Sequence, residues 1–154
     1  MKVYKKLLLE TTNWTKDEEE ELDIWMTGEC IPFAVALSEV FPEYRTAILL
    51  NQYELDEDED SEYDFDFVHA FCYHPSNHKI IIDAKGVRAL SDLYDDFYDI
   101  DPRIDWDIPN SKFLIDNYSG VQFYSEESYD WSDEFYNDAK DWITKHKSKY
   151  QVIQ

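Results

Sequence analysis

Glycine is scarce in this chain, with three among 154 residues. So few leave no material for a phosphate-cradling loop, and neither the Walker-type nor the dinucleotide glycine pattern occurs. Cysteine is limited to Cys30 and Cys72. That excludes a disulfide framework, and both read as thiols. No run approaches the roughly 18 to 20 apolar residues of a membrane span, and no basic start leads into a signal-length apolar stretch. The chain therefore reads as soluble and cytoplasmic. Basic residues number 14 against 35 acidic, a formal net charge of -21, well beyond the magnitude of about 2 to 8 that solubility requires. Such a balance excludes direct binding to nucleic acid or anionic membranes and favours a basic protein, peptide or polyamine as partner.

Apolar residues nevertheless make up 44% of the chain and aromatics 17%, including 12 Tyr, 9 Phe and 5 Trp. The low mean hydropathy thus reflects carboxylates, and the length suits a single domain over 1–154 with its own core. Asp17 to Glu21 is an unbroken acidic block, read as solvated helix surface or loop. Val3 to Leu9 is a short apolar run that suits a strand or a helix start. Phe33, Ala34, Leu37 and Val40 recur at helical spacing after Pro32, a residue that the first turn tolerates. This predicts a helix with Cys30 at its N-terminus, ended by Pro42.

Arg45 to Leu50 reads as a strand entering an acidic insertion, where nine of the thirteen residues from Glu54 to Asp66 are Asp or Glu. Such a run repels itself and predicts a mobile loop. Phe67 to Tyr73 and Lys79 to Asp83 form an expected antiparallel hairpin about the turn signal His74-Pro75-Ser76-Asn77-His78. Ser91 is placed to cap a helix over Asp92 to Tyr98, followed by an irregular stretch punctuated by Pro102 and Pro109. Phe113 to Ile115 and Val121 to Tyr124 read as short edge strands. Glu126 to Lys147, acidic early and basic late as the helix dipole prefers, predicts a closing helix with a break near Trp131.

Three residues on consecutive elements carry chemistry: Cys30 at a helix start, His69 in a strand and Asp83 at the end of the next. Unpaired amides at a helix N-terminus favour a thiolate, an imidazole accepts its proton, and a carboxylate fixes the ring tautomer. Singly, each also has a plainer reading: a small buried apolar residue, a satisfied strand histidine, and a turn or cap residue. Cys72, His74, His78 and Asp83 include metal-ligand types, but at no recognised metal spacing, so neither metal nor cofactor is expected.

The Gly28-Glu29-Cys30 segment opens a helix carrying Phe33-Ala34-Val35-Ala36-Leu37, then come Val68-His69-Ala70-Phe71 and Ile81-Ile82-Asp83-Ala84-Lys85-Gly86-Val87. This layout, over about residues 25 to 90, resembles the papain-like and transglutaminase-like thiol hydrolase superfamily, particularly its small bacterial and phage branches. The resemblance implies an α+β fold: a nucleophile-bearing helix packed on a small antiparallel sheet, with a C-terminal helix beyond it. It also implies a Cys30-His69-Asp83 triad for acyl hydrolysis or acyl transfer on an amide or isopeptide. Papain-type peptidases place an oxyanion-binding glutamine upstream of the nucleophile, and this chain has no glutamine before position 52. Thr27, Tyr4 or the Cys30 amide is left to serve. The charge supports a second function: an acidic nucleic-acid mimic that binds a DNA- or RNA-binding protein, as phage anti-defence proteins do, on an inactive scaffold of the same kind.

Overall fold

A computed structural model describes residues 14–26, 29–54, 63–106, 108, 111–118 and 131–152. Among these the fold is α+β, with six helices and a five-stranded, fully antiparallel sheet. In chain order the elements are α1 (Lys16–Met26), α2 (Cys30–Val40), β1 (Arg45–Glu54), β2 (Tyr63–His74), β3 (Asn77–Asp83), β4 (Gly86–Ala89), α3 (Leu90–Asp96), β5 (Pro102–Asp105), α4 (Ser111–Tyr118), α5 (Asp133–Lys145) and α6 (Lys147–Tyr150). The strands lie in the order β4-β3-β2-β1-β5.

Helix α1 starts with a reciprocal cap in which the Glu18 amide donates to Thr15 Oγ1 and the Thr15 amide to Glu18 Oε1. That arrangement satisfies amides with no intrahelical acceptor. The acidic block forms its exposed surface, while Leu22, Trp25 and Met26 face inward. Every residue of α2 from Cys30 to Leu37 is buried, as befits a helix that is apolar all round. It lies between the sheet, chiefly β2, and α5.

Both faces of the sheet are covered. On the α2 side, Cys30, Ala34 and Leu37 pack with Ile48, Phe67, Ala70, Cys72 and Ile82. On the other side Leu49, Phe71, Tyr73 and Ile81 pack with Leu93 of α3. Burial on both faces explains why β3 reads as a continuous apolar run. The β1–β2 ladder is regular until Leu49↔His69, after which Leu50 pairs with Phe67. Val68 is thus an extra residue in β2, a bulge immediately before His69.

Several expected elements change. Phe113 to Ile115 belongs to helix α4, not an edge strand; three apolar residues are too few to separate strand from helix periodicity. Ser91 caps nothing, because β4 runs straight into α3, with Ala89 at the cap position. The strand expected over Arg45 to Leu50 and the first strand of the expected hairpin extend further: β1 reaches Glu54 and β2 begins at Tyr63, so part of the acidic run is strand. The irregular stretch around Pro102 contains edge strand β5, where Pro102 begins the strand, a position that proline tolerates. The closing helix is shorter than expected and starts at Asp133, with the Ser132 side chain accepting from the Phe135 amide. Val3 to Leu9, Val121 to Tyr124 and residues 55–62 of the acidic insertion lie outside the described residues.

A candidate active site around the Cys30 thiol

Cys30 is the first residue of α2, preceded by Glu29, which makes no side-chain cap hydrogen bond. Its sulfur accepts a long hydrogen bond, 3.5 Å, from the Ala70 amide. By the β2–β3 register, Cys72↔Ile82, Asp83 at the end of β3 falls opposite Phe71. The ladder stops there, and the next amide edge of β2 is taken by the thiol. Cys30 is 1% exposed. Burial pushes the thiol up to about 12, against the pull of the Ala70, Cys30 and Ile31 amides, and the charge on Glu29 pushes it the same way as burial.

His69 and Asp83 occupy the sheet face opposite α2. The His69 ring stacks with Phe71 at 6.5 Å and tilts against Phe97 at 5.7 Å. Its Nε2 is 3.2 Å from Asp83 Oδ2, both side chains being buried. The pairing follows from the register, since Asp83 faces the side of Phe71 and His69 stands diagonally beside it. Arg88 continues the diagonal: it pairs with Ile81 across β3–β4 and shares its face. Its Nε donates to Asp83 Oδ1 at 3.1 Å and its Nη2 to Oδ2 at 2.6 Å. The Lys85 amide adds a bond of 3.0 Å to Oδ1.

Asp83 therefore accepts four hydrogen bonds, about the full capacity of a carboxylate. Burial alone would favour its protonated form. The adjacent Arg88 charge, with the hydrogen bond and charge of His69, instead holds its carboxyl well below the usual range. Arg88 Nη1 reaches on to Asp96 at 2.7 Å, and Lys85 Nζ meets the same Asp96 oxygen at 3.1 Å.

The turn that carries Asp83 is clamped from outside the sheet. Tyr150 Oη donates to the Ala84 carbonyl at 2.8 Å, and Trp14 Nε1 to the Lys85 carbonyl at 2.8 Å. Gly86 follows at φ 115°, a backbone region where a side chain costs energy. A cleft of about 450 Å³ lined by Trp14, Glu19, Leu22, Asp23, Lys85, Arg88 and Asp92 opens beside the turn.

His69 and Asp83 are thus in direct contact, while Cys30 reaches the peptide that joins His69 to Ala70. No hydrogen bond joins thiol and imidazole, and His69 Nδ1 is buried with no partner. Gly28, Thr27 and Tyr4 lie outside the described residues. Cys72 points away from this site and donates to the Ala34 carbonyl at 3.2 Å. Among the described residues no group of three or more His, Cys, Asp or Glu side chains is arranged to hold a metal ion, and no helix is long and apolar enough to cross a membrane. Arg88 escaped the sequence reading, although a charged residue between Val87 and Ala89 in an apolar strand is the signal of a buried ion pair. No protein-family model, curated protein or solved structure matches the chain.

Proposed function

We propose that the chain is a cysteine-dependent acyl hydrolase or acyltransferase of papain-like type, acting on an amide or isopeptide of a basic peptide or protein. Cys30 is the nucleophile, His69 the base and then the acid, and Asp83 the carboxylate that orients the ring. The reading rests on one arrangement. Asp83 engages His69 Nε2, which leaves Nδ1 as the free acceptor, buried and unpartnered, one residue from the amide that holds the thiol. The thiol and the imidazole rest on opposite faces of the sheet with no hydrogen bond between them, so the reading requires a rearrangement that brings them together; Nδ1 then takes the Sγ proton, and the thiolate attacks the acyl carbon. The leaving nitrogen recovers the proton from Nδ1, and water or an amine then releases the acyl group. The Cys30 amide supplies an oxyanion donor. The resting thiol is neutral, since burial disfavours the thiolate here.

The pH dependence of Cys30 alkylation by iodoacetamide, in a Cys72→Ser background, tests this. His69→Ala is expected to slow labelling at pH 7 by about tenfold or more, as loss of a general base does. Equal rates with and without His69 would overturn the catalytic reading.

The deep burial of Cys30 favours a second reading, an inactive scaffold that captures a basic or nucleic-acid-binding protein through its acidic surface. A cleft of about 300 Å³ between α1 and α5, lined by Glu21, Trp25, Phe135, Asp138, Asp141 and Trp142 among others, suits such a partner. Slow labelling that ignores His69, together with salt-sensitive capture of a basic protein, is its signature.

A further inference from the structure

Helices α1 and α5 each pack on α2, and the cleft of about 300 Å³ lies between them. Its wall has an apolar part and a charged part. Ile24, Trp25 and Phe135 supply the first, with the Trp25 and Phe135 rings meeting edge to face at 6.1 Å and Ile24 left 41% exposed. Glu21, Asp138 and Asp141 supply the second; all three are exposed, and among the described residues none is in an ion pair. An apolar centre with a polar rim is the anatomy of a protein–protein contact. Trp25 adds an observation independent of the acids. It is buried, and its Nε1 donor has no acceptor, whereas Trp14, Trp131 and Trp142 give theirs to Lys85, Asp133 and Tyr150. A buried donor without a partner is costly and rare in a native protein. The larger cleft beside the Asp83 turn differs, since it brings its own cations, Lys85 and Arg88, already bound to Asp96 and Asp83.

We propose that the cleft between α1 and α5 is a docking pocket for a basic protein and takes from it one apolar anchor residue flanked by arginines. The inference rests on the reading of the acidic surface as a capture surface, needs no chemistry at Cys30, and adds the pattern that the partner must present. The anchor covers Ile24 and the Trp25–Phe135 edge and takes their apolar surface out of water. The flanking guanidinium groups meet Glu21 on one helix and Asp138 and Asp141 on the other, forming charge-assisted bonds that these acids lack within the chain. The main-chain carbonyl of the anchor is the acceptor that Trp25 Nε1 is missing. A net charge of -21 draws any cation toward the chain. The apolar part and the unmatched donor are what make this cleft selective among them. At about 300 Å³ it stands at the small end of ligand pockets, which suits a single anchor side chain.

The test uses the full chain at pH 7 and about 25 mM salt, where charge attraction is little screened, and follows the tryptophan indole N–H signals by heteronuclear NMR, with Trp25→Phe identifying the Trp25 signal. The probes are three end-blocked tripeptides, Arg-Leu-Arg, Arg-Gly-Arg and Glu-Leu-Glu. Arg-Leu-Arg is expected to shift the Trp25 signal saturably and to bind about tenfold or more tightly than Arg-Gly-Arg, the worth of burying one leucine. Glu-Leu-Glu should leave the signal in place. Asp138→Asn with Asp141→Asn should weaken Arg-Leu-Arg by about three- to tenfold, as expected for two exposed ion pairs. Equal affinity for Arg-Leu-Arg and Arg-Gly-Arg overturns the inference, as does binding that the double substitution does not weaken or that leaves the Trp25 signal unmoved. Polylysine separates this pocket from the reading beneath it. Salt-sensitive binding of polylysine without any selective tripeptide binding would keep the acidic capture surface and remove the pocket, whereas a chain that binds neither probe overturns both.

Discussion

Arg88 grips Asp83 by both carboxylate oxygens, Nε to Oδ1 at 3.1 Å and Nη2 to Oδ2 at 2.6 Å, so the carboxylate that orients His69 is itself held by a buried cation. Removing one partner of such a pair strands the other charge in the core. Arg88→Met is therefore expected to destabilise the protein by about 3–5 kcal/mol in urea unfolding at pH 7. Arg88→Lys, which keeps the charge but not the fork, should lose less. Asp83 titrates below its ordinary range in the folded state. Its contribution is fully present above the unfolded value of about 3.9 and is lost as pH falls below it. The gap between parent and Arg88→Met should accordingly narrow on acidification below about pH 4, and a gap that stays constant would show that the pair is not what was lost.

The same residues show what a sequence can and cannot reveal. Cys30, His69 and Asp83 stand out because each lies in an apolar run where its chemistry is out of place, and the expected helix and hairpin supply their elements. What periodicity could not provide is the face on which each lands. The bulge at Val68 separates His69 from the alternation of Phe65 and Phe67, and only the ladder reveals it. The turn at Ala84 and Lys85 depends on Trp14 and Tyr150, which lie 71 and 66 residues from their acceptors. Contacts of that separation leave no local pattern. Strand β5 and helix α4 were misread for a related reason: both are short segments, four and eight residues long, whose state is set by what they pack against.

Glu29 has the opposite linkage to Asp83. Burial raises its folded value to about 7, so the native state holds a proton that the unfolded chain has already released. Stability from this group therefore falls as pH rises from about 4.3 through about 7. Glu29→Gln, which does not titrate, should be more stable than the parent by about 1 kcal/mol at pH 8, after discounting for its partial exposure. The advantage should vanish at pH 4. Paired urea titrations at the two values check this, and an advantage equal at both would mean that ionisation is not its source.

Tyr150 ties the C-terminal helix to the turn behind the site. Its hydroxyl donates to the Ala84 carbonyl and accepts from Trp142 Nε1 at 2.9 Å, in a side chain that is fully buried. Tyr150→Phe deletes both bonds and leaves two groups unsatisfied, for an expected loss of about 1–3 kcal/mol. Because Asp83 precedes Ala84, the substitution should also loosen the His69–Asp83 contact. Cys30 alkylation at pH 7 would then become less dependent on His69. Loss of stability with the His69 dependence intact would confine Tyr150 to a structural role.

Self-repulsion among the acids leaves a mark on stability that salt removes. Glu21 of α1 and Asp138 and Asp141 of α5 line one cleft together with Lys145. Surface charges at such spacing interact over a Debye length of about 30 Å at 10 mM salt and about 8 Å at 150 mM. Tm is therefore expected to rise on going from low to physiological salt, opposite to the behaviour of a protein held by surface ion pairs. Asp138→Asn with Asp141→Asn should raise Tm at low salt and shrink the salt-dependent gain. A low-salt Tm unmoved by the double substitution would place the repulsion elsewhere on the chain. Because these two residues do not touch the Cys30 site, any effect of theirs on capture of a basic protein would belong to the cleft, and an effect on alkylation would not be expected.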